Sequence, residues 1–229
     1  MTTAPRELED VLEGSVEPQT GPSQPASWLL LDIGGVLEIV DDSGRAGSFA
    51  SRWAPVLGLT AEEFTQRIAE ADLPDAARNK AVADAYWRGI GGALGASPEQ
   101  LASMRCDFWD DYCGVANDEL LAFLGRLQGQ VGLAILSNSG DGAREEEERR
   151  YGFSRVFDPI CYSHEIGVTK PDAGAFHIAL DQMGAQPSGV LFIDDVADNV
   201  AAARRLGMRA HLHVDNATTI AAVRAQCSD

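Results

Sequence analysis

Short apolar runs punctuate the chain. Trp28 and three leucines lead straight into Asp32, and four later runs share that look: VGLAIL (131–136), PICYS (159–163), VLFID (190–194) and RAHLHV (209–214). Runs of this length, mainly apolar and separated by polar and glycine residues, predict buried strands. Between most of them the apolar positions recur every three or four residues, the period of a helix face. Strands apolar on both sides, alternating with helices, predict a Rossmann-like α/β fold: a parallel sheet with helices on both faces.

Polar residues mark the helix ends. Thr60 with Glu63, and Ser97 with Gln100, have capping-box spacing, the second with Pro98 at the first helical position. A helix beginning at Asp172 is predicted to stop near Gly184, and another to stop near Gly207 with Arg204 and Arg205 in its last turn. Residues 42–118 carry helical pattern and no convincing strand, so they predict an inserted all-helical cap, with the apolar residues of FTQRI and YWRGI as its core. The expected organisation is a disordered tail over 1–26, rich in Pro, Glu, Thr and Ser, then an α/β core from 27–41 and 119–229 interrupted by that cap. The charge-dense run GDGAREEEERRYGF reads as a solvated helix face.

Charge narrows the partners. A formal net charge of −17 argues against nucleic acid, which is bound by clustered Lys and Arg, and means that an anionic substrate needs a locally positive pocket. No apolar run approaches the length of a membrane span, so no membrane partner is expected. The start of the chain lacks the basic and apolar segments of a signal peptide. Cys106, Cys113, Cys161 and Cys227 are scattered without metal-ligand spacing, which reads as reduced thiols in a cytoplasmic protein.

The chemistry sits where strands end. Asp32 follows the first strand, Ser137 and Asn138 follow the second, and Asp194 and Asp195 close the VLFID run, with Asp198 and Asn199 behind them. Lys170 stands just before the helix that begins at Asp172. In an open α/β sheet, ligands bind beyond the carboxyl ends of the strands, so these residues can meet in one crevice. Asp32 and the acidic pair offer hard oxygen ligands suited to Mg2+, while Ser137 and exposed backbone N–H groups suit phosphate oxygens. Lys170 offsets part of the negative charge, and Asp32 is placed to attack phosphorus, with water then hydrolysing the aspartyl-phosphate.

Taken together, DIGGV, LSNS, GVTKPD and IDDVADN resemble, in order, the four motifs of the haloacid dehalogenase (HAD)-like superfamily, over roughly residues 28–215. The resemblance implies a Mg2+-dependent phosphatase of the helical-cap branch, with Asp32 as nucleophile and Ser137, Asn138 and Lys170 around the phosphate. It implies metal contacts from Asp32, Asp194, Asp195 and the backbone carbonyl of Gly34, with Asp195 the more direct of the acidic pair and Asn199 in support. Gly34 departs from the pattern, because phosphatases of the family carry an Asp there that protonates the leaving oxygen. A branch of sugar-1-phosphate phosphatases has a similar Asp-x-Gly start. The expected substrate is therefore a small phosphorylated metabolite whose leaving group departs without a proton, unless another group of the protein supplies one. The competing readings are a phosphometabolite-binding regulator that has lost turnover and a metal-independent 2-haloacid dehalogenase. His164, beside the lysine motif, is expected to serve packing before proton transfer. Oligomeric state is not legible.

Overall fold

The computed structural model describes residues 27–39 and 45–227; the tail expected over 1–26 lies outside them. In chain order the elements are β1 (Trp28–Leu31), β2 (Glu38–Ile39), α1 (Arg45–Val56), α2 (Ala61–Glu70), α3 (Ala83–Leu94), α4 (Pro98–Cys113), β3 (Val115–Ala116) and α5 (Asp118–Gly125). They continue with β4 (Gly132–Ser137), α6 (Ala143–Tyr151), β5 (Ile160–Tyr162), α7 (Ser163–Ile166), α8 (Ala173–Met183), β6 (Val190–Asp194), α9 (Ala197–Arg205), β7 (Arg209–Leu212) and α10 (Asn216–Cys227).

Five of the strands form one parallel sheet in the order β5-β4-β1-β6-β7. The predicted strands are all present, and VLFID occupies the predicted residues. Successive side chains of a strand point to opposite faces, and the apolar runs divide accordingly. Leu29, Leu31, Leu133, Ile135, Leu191 and Ile193 pack on one face with residues of α5, α6 and α10. Leu30, Ala134, Leu136, Val190 and Phe192 pack on the other with α8 and α9. This is the α/β arrangement expected from strands apolar on both sides. No helix among the described residues is long and apolar enough to cross a membrane.

Between β2 and β3 the chain builds α1 to α4, which share an apolar cluster of their own containing Trp53, Phe64, Trp87, Ile90 and Met104. Both capping boxes form as their spacing dictates: Glu63 N–H donates to Thr60 Oγ1 at 3.1 Å, and Gln100 N–H donates to Ser97 Oγ at 3.2 Å. The sequence pattern missed one feature of this region. Glu38–Ile39 and Val115–Ala116 pair antiparallel, so the outgoing and returning chains form a short two-stranded ribbon. Two-residue strands carry too little periodicity to be seen, and their pairing is non-local.

Phe192, fully buried, meets Phe176 edge-on with ring centroids 5.2 Å apart. Phe192→Ala is expected to cost about 3–5 kcal/mol, moving the urea midpoint down by roughly 1 M or more. Arg105→Ala, which breaks only the exposed pair with Asp84, should move it by a small fraction of that.

Candidate active site

β1 is the central strand, flanked by β4 and β6, so Asp32, Ser137 and Asp194 fall at three adjacent strand ends. Backbone bonding fixes Asp32: its N–H donates to Ile193 O at 2.9 Å, and Ile33 N–H donates to Asp32 Oδ1 at 2.8 Å. Lys170 enters from the loop before α8. Its ammonium, wholly buried, lies 2.7 Å from Asp32 Oδ1 and 2.7 Å from Asp194 Oδ2, and 5.6 Å over the Phe192 ring.

Each partner is itself held. Asn138 bonds the Lys170 main chain in both directions, with Nδ2 donating to Lys170 O at 2.9 Å and Oδ1 accepting from Lys170 N at 2.7 Å. Asn199 Nδ2 donates to both oxygens of Asp194 at 3.0 and 3.1 Å, while Val196 N–H donates to Asp194 Oδ1 at 2.8 Å. Ser137 is buried at the end of β4, its hydroxyl 3.4 Å from Asn138 O. Asp198 lies exposed on the first turn of α9.

Asp32, Asp194 and Asp195 each present a carboxylate oxygen within 4.8 Å of the others. Burial pushes the Asp32 carboxyl up to about 7; the attraction of Lys170 lowers it and the charge of Asp194 raises it. Three carboxylates against one ammonium leave an excess of two negative charges, which a divalent cation would balance. The donors are hard oxygens, the type that Mg2+ prefers. The residues therefore fit such an ion.

The two glycines after Asp32 differ physically. Gly35 has a φ of +75°, and a Cβ there would run into the Asp195 carboxylate, so this position is closed to side chains. A Cβ on Gly34 would meet nothing within 4 Å. The missing acid is therefore not a packing requirement. The doubled glycine was the sequence signal for a tight approach here, though not for which glycine made it.

Of three further features, those at Asp141 and Glu147 lay beyond sequence reasoning, while packing was the expected role of His164. The Asp141 carboxylate accepts from the backbone N–H groups of Val82 (2.7 Å) and Ala83 (2.6 Å), joining the β4 loop to the start of α3. His164 is buried, with Nδ1 2.8 Å from Ser139 Oγ, in keeping with a packing role. Glu147, read as part of a solvated helix face, is instead fully buried. Tyr162 Oη donates to its Oε2 at 2.5 Å, and its Oε1 has no hydrogen-bond partner. A helix with four consecutive glutamates gives no hint of which one turns inward; only the position of the sheet beneath α6 decides it.

A haloacid dehalogenase-like hydrolase family model matches residues 107–207. A phosphatase of Mycobacterium tuberculosis is 42% identical over 57 residues, which make up 25% of this chain and 26% of that protein. The curated relatives it matches are covered over only about a tenth to a third of their lengths. Among solved structures, a HAD family enzyme of Bacteroides thetaiotaomicron, in complex with magnesium and inorganic phosphate, superimposes with a TM-score of 0.65 at 18% identity, covering 85% of this chain and 98% of that one. A 2-haloacid dehalogenase of Pseudomonas syringae pv. Tomato gives a TM-score of 0.61 at 20% identity, covering 82% and 86%. The fold is that of the HAD-like α/β proteins. Residues 107–207 thus carry the sequence pattern of the haloacid dehalogenase-like hydrolases on a fold that the solved structures share.

Burial pushes the Glu147 carboxyl from an ordinary 4.5 up to about 8; the Tyr162 hydrogen bond lowers it and the charge of Asp32 raises it. Between those values the unfolded chain releases a proton that the folded protein keeps, so stability falls as pH rises across the window and levels off above it. Glu147→Gln removes this linkage while retaining an acceptor for Tyr162. Its melting temperature relative to wild type is expected to climb by several degrees from pH 5 to pH 8, corresponding to about 1–3 kcal/mol. Parallel melting curves across that range would contradict a buried neutral acid.

Proposed function

We propose that the chain is a Mg2+-dependent phosphatase that hydrolyses a small phosphate monoester through an aspartyl-phosphate on Asp32. The observation that carries this reading is the single buried ammonium of Lys170 shared by Asp32 and Asp194, with Asp195 completing a trio of carboxylates. A bound Mg2+, held by Asp32, Asp194, Asp195 and the Gly34 carbonyl, would neutralise charge on the phosphate and keep Asp32 ionised.

The protein's own groups do the rest. Asp32 Oδ1 is engaged by Lys170 and Ile33 N–H, which orients Oδ2 as the nucleophile. An ammonium has three donors, two of which Lys170 spends on Asp32 and Asp194; the third serves a phosphate oxygen. Ser137 Oγ and the Asn138 N–H supply further donors. As the Oδ2–P bond forms, the P–O bond to the leaving group breaks and its electron pair leaves with that oxygen. Water then attacks the aspartyl-phosphate, releasing inorganic phosphate and restoring the carboxylate. With glycine at 34, no side chain there protonates the leaving oxygen, so the reading favours anomeric sugar phosphates or aryl phosphates, whose leaving groups are stable as anions.

The acidic trio counts against the dehalogenase reading, since attack on carbon needs no cation. Free thiols at Cys106, Cys113 and Cys161 support a reducing compartment such as the cytoplasm.

Phosphate release from an aryl phosphate is expected with Mg2+, to fall to background with EDTA, and to vanish in Asp32→Asn. Halide release from a 2-haloacid without metal, or metal-dependent binding of phosphometabolites without any turnover, would overturn the proposal. Because the Gly34 Cβ direction is open, Gly34→Asp should fold. It is expected to raise kcat on a simple alkyl phosphate about 10- to 100-fold, with a much smaller gain on an aryl phosphate. Equal gains would show that leaving-group protonation is not what glycine at 34 withholds.

A further inference from the structure

A cavity of about 560 Å3 opens between the helical layer and the loops that follow β4 and precede α8. The size suits a cyclic leaving group attached to a phosphate. Asn138, Ser139 and Thr169 form its floor, and Asn138 and Thr169 adjoin the residues that hold the phosphate site. Its walls carry Tyr86, Trp87, Phe108, Trp109 and Tyr112, a run of rings in mutual edge contact with centroids 5.0–5.9 Å apart along the chain of pairs. Flat ring faces are good surfaces for another ring and poor ones for a flexible polar chain.

Among the described residues lining this cavity, Arg78 is the one cation. It sits on the segment before α3, and its guanidinium is fixed: Nη2 donates to Thr169 Oγ1 at 2.9 Å and Nη1 to Asp75 Oδ2 at 3.2 Å. Thr169 directly precedes Lys170, so the guanidinium is tethered one residue from the phosphate-binding lysine. The two acids of the lining are engaged as well, Asp75 with Arg78 itself. Asp141 accepts from Val82 and Ala83 N–H, and Asp75 Oδ1 accepts from Ala77 and Arg78 N–H at 3.0 and 3.2 Å. In a protein of net charge −17, a guanidinium lining a ring-bearing cavity stands out, half-exposed and paired with Asp75 though it is. Two of its five donors are used, and the planar fork suits a carboxylate.

We infer that the substrate's leaving group is a ring bearing a second anion, a carboxylate, with the ring against the aromatic wall and the carboxylate on Arg78. This rests on the phosphatase reading and extends it from a phosphate monoester to a class of doubly anionic cyclic monoesters. The ring is of aryl or sugar type; both present a flat face and both leave without a proton when the phosphate is phenolic or anomeric. Arg78 is a specificity residue here, since the reacting atoms lie at Asp32.

The test compares kcat/KM within two substrate pairs: phenyl phosphate with 4-carboxyphenyl phosphate, and glucose 1-phosphate with glucuronate 1-phosphate. Wild type is expected to prefer the carboxylated member of at least one pair by tenfold or more, the pair identifying the ring type. Arg78→Gln should lose at least ten times more on the carboxylated member than on its neutral counterpart, and Arg78→Lys should restore part of the difference. If Arg78 only pins its loop to Thr169, both members of a pair will fall together, which overturns the inference. Hydrolysis without preference in either pair overturns it too and leaves the phosphatase reading intact. Failure to hydrolyse all four in the presence of Mg2+ overturns both.

Discussion

Lys170 brings an ammonium to a place with no exposed side-chain surface and finds two carboxylates there, each 2.7 Å away. A buried charge is tolerated only when it is paired and hydrogen-bonded, and removing one member of such a group leaves another stranded at a cost of several kcal/mol. The bridge therefore constrains everything around it. The ends of β1 and β6 must stand side by side, the loop before α8 must fold back across them, and Asn138 must clamp that loop through both of its amide atoms. Asn199 braces the far carboxylate in the same way. The clustering of these polar side chains is thus a by-product of keeping one cation satisfied inside the protein.

The glycine pair after Asp32 shows how packing and chemistry separate. Gly35 is imposed by structure, because its backbone is left-handed and Asp195 fills the space a side chain would need. Gly34 is imposed by nothing nearby. On the proposed phosphatase reading its effect is chemical: with no acid there, the burden of stabilising the departing oxygen shifts to the substrate.

The helical layer contributes the aromatic wall of the neighbouring cavity. Its aromatic residues hold its own apolar cluster together and, on their other side, line the cavity, so the wall is rigid because it is structural. The layer is also joined to the sheet by directed bonds. Asp141 receives the first N–H groups at α3, and Ser163 Oγ donates to Ala77 O at 2.8 Å. Any motion of this layer relative to the sheet would have to break these contacts next to the cavity.

Much of the fold was legible in the residues. Alternation along WLLL, GLAILS and VLFID determined which side chains face which helices, because a strand's period of two leaves no other option once both faces are covered. Capping boxes and terminal glycines determined where helices begin and end, since those bonds are local. The residues now found around Lys170 were legible as types at strand ends. Their distances were not, because each belongs to a different, distant segment. Tertiary structure alone decided that Glu147 turns inward while its acidic neighbours face water, that two-residue strands close the ribbon, that Gly35 rather than Gly34 is sterically required, and that Arg78 stands beside Thr169. Each of these depends on what another part of the chain places across a gap, and a local pattern holds no record of that.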